Sequence, residues 1–158
     1  MTAFAPDQTE TTESAVSSDA LAQVVGSTAE ALLGADAYTL SDAEIAAVPF
    51  SRAATVEIIG EEQATIIIRT DEVVARYYAM LMFEQTDETL AEVDITDSLL
   101  ELTNVLGGAT KTLFAGDCSL NLPLLLTDPE AHEGAAYQVT LALAGGFVQL
   151  QLHPGNGA

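Results

Sequence analysis

Apolar side chains recur between residues 95 and 113 at steps of four, three, four, three and four: Ile95, Leu99, Leu102, Leu106, Ala109 and Leu113. That rhythm predicts a helix, starting near Asp94, with one stripe buried. At about 100° per residue, Glu101, Asn104, Gly108 and Lys111 gather about 200° from the stripe, on the opposite face. Gly107 and Gly108 each cost about 1 kcal/mol relative to Ala inside a helix. Two such residues in succession make sense where something must approach the backbone closely, so the polar face reads as a docking surface.

The remaining pattern switches between helical and strand periods. Ser18 or Asp19 caps a first helix over 19–34, with Leu21, Val24, Val25, Thr28, Ala31 and Leu32 inward and Gly34 as its stop. After a loop through Pro49, strands are predicted over 54–59 and 64–70, joined by the turn Gly60-Glu61-Glu62. Thr70, Asp71 and Glu72 open a second helix to about Glu84, because a capping hydroxyl followed by acids suits a helix N-terminus. Strands over 118–126, 136–143 and 147–152 complete the series, the last two joined as a hairpin by Ala144-Gly145-Gly146. This order predicts an α+β fold of two layers, long helices packed on a mostly antiparallel sheet. In 147–152, Phe147, Gln149 and Gln151 alternate with Val148, Leu150 and Leu152, the pattern of a half-buried strand. No Lys or Pro interrupts it, which makes it a candidate edge for pairing with a second copy.

Length and composition fit one domain over 19–153, preceded by a disordered Ser/Thr-rich acidic leader at 1–18 and followed by a short tail at 154–158. No apolar run approaches the length of a membrane span, and residues 1–18 lack the basic and apolar regions of a signal peptide, so a cytoplasmic location is expected. Charge narrows the partners. Twenty-four acids stand against Arg52, Arg69, Arg76 and Lys111, a net of −20. Phosphate binding needs clustered cations, which excludes nucleic acid and disfavours anionic membranes.

Several motifs fall away on inspection. Gly-Gly-Ala-Thr-Lys-Thr at 107–112 has Thr110 where a phosphate loop needs Gly, and it lies within a helix. His132 and Glu133 have no His/Cys cluster to complete a metal site. The acids from Glu84 to Asp97 lack the alternation and Gly of a calcium loop. Cys118 is read as a buried small residue.

The face bearing Glu101, Asn104, Gly108 and Lys111 resembles the CheX branch of the CheC/CheX/FliY phosphatases, which dephosphorylate CheY-type response regulators in chemotaxis. That family's signature is Glu-x-x-Asn on a long helix, usually followed by Gly and Lys. The segments 70–81 and 119–123 sit where the family places a helix and a strand, and the resemblance covers about residues 19–153. It implies that Asn104 orients the attacking water and that Glu101 pairs with the receiver's lysine. Leu100 and Val105 then supply apolar contact, Gly108 permits close approach, and Lys111 completes the partner-binding face. It also implies no cofactor of the chain's own, the Mg²⁺ coming with a phosphorylated receiver substrate, and a homodimer formed through a sheet edge. The first helix has no second Glu-x-x-Asn, so one site per chain is expected. The chemistry suits these residue types: an acyl phosphate is already reactive, and a helper needs only to place water in line with phosphorus. An amide donates and accepts hydrogen bonds without titrating. The alternatives are a CheX-like module that docks on a receiver or signalling complex without hydrolysis, and an unrelated acidic scaffold.

Overall fold

The computed structural model describes residues 15–130 and 133–155. Ser17 caps α1 (Ser18–Leu33) by accepting the Ala20 N–H, and Gly34 ends it in the left-handed region at φ 63°. Its buried line is Leu21, Val25, Ala29 and Leu33. This corrects the inward set, since Ala31 is exposed and Thr28 only half-buried. A strict i+4 line is the ridge a helix presents when it crosses its neighbours obliquely. Residues 15–17 join the fold: the Ala15 N–H donates to Leu113 O at 2.9 Å, and Val16 packs on the core. The rest of the expected leader, 1–14, and the end of the tail, 156–158, lie outside the described residues.

Within the expected loop before Pro49 are a short strand, β1 (Tyr38–Thr39), and one helical turn, α2 (Asp42–Ile45), held by a reciprocal box between Ser41 and Glu44. There follow β2 (Arg52–Gly60), β3 (Ala64–Thr70), α3 (Glu72–Phe83), a 3₁₀ turn at Asp87–Thr89 and α4 (Glu92–Lys111). The chain continues as β4 (Cys118–Leu120), β5 (Leu124–Leu126), β6 (Tyr137–Leu143) and β7 (Gly146–Pro154). The sheet order is β1-β6-β7-β3-β2-β4, with β5 also on β2, and every pairing is antiparallel. The helices supply Leu21, Val25, Val74, Leu102 and Leu106 to a core shared with Val56, Ile58, Ile66, Ile68 and Leu150 of the sheet.

Two strand expectations change. The single strand over 118–126 is two, because three residues, Asn121, Leu122 and Pro123, face only Val56 and Glu57 between the pairs Ile58↔Leu120 and Thr55↔Leu124. Pro123 has no N–H for a ladder, and the extra residue makes a bulge. The expected edge strand is central: β7 pairs with β6 on one side and β3 on the other, so it offers no edge to a second copy. Its polar side is buried too. Arg69 Nε and Nη2 donate to Gln149 Oε1 at 2.9 and 2.7 Å, and Gln149 Nε2 donates to Thr140 Oγ1 at 2.9 Å. Arg69 Nη1 reaches Pro129 O at 3.1 Å, and the guanidinium lies 4.1 Å from the Phe50 ring centre. Among the described residues no helix is long and apolar enough to cross a membrane.

Candidate functional site

Arg52, at the start of β2, aligns the two helices that carry the candidate site. Its Nε and Nη2 donate to Glu72 at 3.0 Å each, and its Nη1 and Nη2 donate to Glu92 at 2.7 and 3.1 Å. The first turns of α3 and α4 therefore meet at one guanidinium, and the helices run side by side in the same direction, with Ala75 and Ala79 against Ile95. Hydrogen bonds to Arg52 hold the Glu72 and Glu92 carboxyls below the usual carboxylate range. The start of α4 has half of a capping box: Asp94 accepts the Ala91 N–H at 3.2 Å, and Ala91 has no side-chain oxygen to reciprocate.

The predicted stripe is buried at Ile95, Leu99, Leu102 and Leu106, while Ala109 is half-buried and Leu113 lies beyond the helix end. Ser98, Thr103 and Thr110 share the buried face, each satisfied by donating to a carbonyl one turn back, at 2.9, 2.8 and 2.9 Å. On the opposite side Glu101 and Asn104 are exposed, Gly108 and Lys111 are half-buried, and Leu100 and Val105 are half-buried on either flank. The helix brings all six together.

The glycine pair divides in two. A Cβ at Gly107 would lie 2.8 Å from Val56 Cγ1, so this glycine serves close packing of α4 on the protein's own sheet. At Gly108 the nearest atom would be Leu120 Cδ1 at 3.9 Å, and only this position leaves backbone accessible from the polar face. The double-glycine cost thus counts once toward docking, not twice.

Two further residues border the face. Asp97, four residues before Glu101, extends the exposed side, a position its i−4 spacing marks. Tyr78 of α3 is buried beside it, and burial together with the Glu101 charge pushes its phenol up. No sequence spacing connects positions 78 and 101. Lys111 forms no ion pair with any described residue, whereas Arg52 and Arg76 are paired with acids and Arg69 is held by Gln149, Pro129 and Phe50. Among the described residues no three His, Cys, Asp or Glu side chains group as a metal site; His132 lies outside them.

The family model for chemotaxis phosphatase CheX matches residues 52–149, from the clamping arginine through the helix face to β7. The chain belongs to the CheX family. No curated protein matches the sequence. Solved structures share the CheX fold over most of both chains. Vibrio vulnificus CheX superposes with a TM-score of 0.68 at 14% identity, covering 87% of this chain and 95% of its own. A CheX from Desulfovibrio desulfuricans gives 0.61 at 11% identity, covering 87% and 98%. CheX from Borrelia burgdorferi, solved in a complex with CheY, beryllofluoride and Mg²⁺, gives 0.59 at 15% identity, covering 86% and 96%. Chemically, this CheX-family face offers an amide, a carboxylate and an ammonium group on one rigid helix.

Proposed function

We propose that this protein accelerates hydrolysis of the phosphoaspartate of a CheY-type receiver domain. The observation that carries this reading is the Asn104 amide, held out on the longest helix beside Glu101, with no hydrogen bond to any described residue. An amide left without an internal partner is available to a water molecule. The receiver brings the reactive acyl phosphate, its Mg²⁺ and its lysine, and Asn104 holds water in line with phosphorus. Glu101 pairs with that lysine, Leu100 and Val105 make apolar contact on either flank, Gly108 lets the partner approach the backbone, and Lys111 meets an acid. No nucleophile, cofactor or covalent intermediate on this chain takes part. Support comes from the family membership and from the Borrelia burgdorferi CheX crystallised with CheY and beryllofluoride, a mimic of the phosphoryl group.

The test is release of phosphate from phosphorylated CheY-type receivers by the parent, Asn104→Ala and Glu101→Gln. Asn104→Ala should abolish stimulation with little change in thermal stability, and Glu101→Gln should weaken both affinity and turnover, since a charge-assisted contact is stronger than a neutral one. Parental turnover in Asn104→Ala refutes water positioning by this residue. A docking module without hydrolysis would bind the receiver and release no phosphate.

The homodimer expected of the family forms, in this reading, through the β4–β5 edge. Leu122 is 83% exposed and Leu124 63% exposed there, and 118–126 carry no charge. Pro123 and the bulge restrict backbone pairing, so leucine side chains supply the contact.

A further inference from the structure

The stretch Tyr-Tyr-Ala-Met-Leu-Met-Phe at 77–83 carries no charge in a chain with 24 acids. It forms the last two turns of α3, where Leu81 is 45% exposed and Met82 39% exposed. Their place relative to the site follows from the helix pair. Arg52 brings the first turns of α3 and α4 together, Ala75 and Ala79 lie against Ile95, and Tyr78 lies within reach of the Glu101 charge. Leu81 and Met82 stand three and four residues beyond Tyr78, hence on its side of α3 and one turn further along. Because the helices run in the same direction, that turn lies about level with Glu101, within a turn of Asn104 and Val105. The helix ends directly afterwards: Glu84 is left-handed at φ 52°, and the N–H groups of Glu84 and Gln85 converge on Met80 O. The chain turns away there, and the acid that follows does not continue the apolar turn.

We propose that Leu81 and Met82 form a second wall of the docking surface, so that the receiver's footprint spans α3 and α4. The partner is a receiver domain that presents an apolar patch next to its phosphorylated aspartate. This rests on the receiver being the partner of the Glu101–Asn104 face. Two features favour that occupant: the apolar turn is continuous with the face, and at a net charge of −20 an uncharged contact supplies affinity that long-range attraction to an acid-rich phosphorylation site does not. The exposed leucines of the β4–β5 edge belong to a different region, and Val93, 60% exposed, sits at the opposite end of α4.

The test uses Leu81→Gln and Met82→Gln, singly and together, with Val93→Gln as a control. Half-saturation by phosphorylated receiver should rise on the order of tenfold in the double variant, from loss of buried apolar contact. Turnover at saturation and the melting temperature should stay at parental values, and Val93→Gln should change nothing. Parental half-saturation in the double variant overturns the second wall. Titration with a beryllofluoride-activated receiver separates the two readings. If the parent binds it through Leu81 and Met82 yet releases no phosphate, the second wall stands and the role of Asn104 falls.

Discussion

Gly107→Ala and Gly108→Ala make the same change at adjacent positions, and the packing gives them opposite signs. A Cβ on Gly107 would sit 2.8 Å from Val56 Cγ1 and 3.7 Å from both Leu120 methyl groups, closer to Val56 than real Cβ atoms come. Val56 is 1% exposed on β2, and its β-branched side chain has little rotamer freedom, so relief must come from moving helix or strand. Overpacking of this kind costs about 1–3 kcal/mol, while Ala recovers about 1 kcal/mol of helix propensity. The balance is a loss of up to about 2 kcal/mol for Gly107→Ala. At Gly108 the nearest atom would be at an ordinary contact distance of 3.9 Å, so the full gain of about 1 kcal/mol survives. Urea unfolding followed by circular dichroism reads both signs directly. Gly107→Ala stabilised as much as Gly108→Ala would refute the account of close packing against Val56. If the polar face of α4 docks the receiver as proposed, the stabilised Gly108→Ala should nevertheless stimulate dephosphorylation less, since its new methyl group stands on that face.

Arg52→Met should destabilise the fold by about 1–2 kcal/mol at neutral pH, mainly through the less exposed Glu72, since solvent screens Glu92. The Glu72 and Glu92 carboxyls have lowered folded values, so their contribution is full above the ordinary carboxylate value and disappears as pH falls through the lowered one. Urea unfolding from pH 5 to pH 3 should show the parent losing stability more steeply than Arg52→Met, and equal slopes would reject the clamp. Assembly is read by sedimentation across a salt series: the dimer should tighten as salt screens the −20 charge, and Leu122→Glu should abolish it. A parent that is monomeric at every ionic strength removes the β4–β5 edge from consideration.

The buried and exposed faces of α4 were legible because the helix carries that information locally. Periodicity over Ile95, Leu99, Leu102 and Leu106 fixes which side is buried, and the polar face follows from helix geometry alone. The buried Ser98, Thr103 and Thr110 did not obscure the stripe, since each satisfies its own hydroxyl within the helix. What stayed hidden depends on contacts distant in sequence. The place of β7 within the sheet is set by which strands flank it, and alternation says only that two faces differ. Gln149 and Gln151 read as solvent-facing, yet they are buried because Arg69, Thr140 and Gln138 supply their hydrogen bonds. The reason for Gly107 likewise lies in Val56, on a strand about fifty residues earlier. The turn α2 is a different case, since Ser41 and Glu44 spelled a capping box that a loop assignment passed over.

The disposition of the four cations limits how this surface would hold the proposed partner. Arg52 joins β2 to α3 and α4, Arg76 ties α3 to Asp87, and Arg69 is buried on the second face of the sheet. Those three charges are committed to the fold, and the remaining one, Lys111, stands in the last turn of α4, where it also complements the helix dipole. An acid-rich partner therefore gains nothing from the long-range field, and recognition has to come from contacts at the face itself. Glu101 and Lys111 lie ten residues apart on one helix side, about 15 Å along the axis, with Asn104 between them. Opposite charges at the two ends of the face favour one direction of docking and oppose its reverse, because the reversed partner would bring like charges together at both ends. Under the proposed reading, orientation is the requirement that matters most for in-line attack, since water held by Asn104 would act only when it faces phosphorus along the bond that breaks.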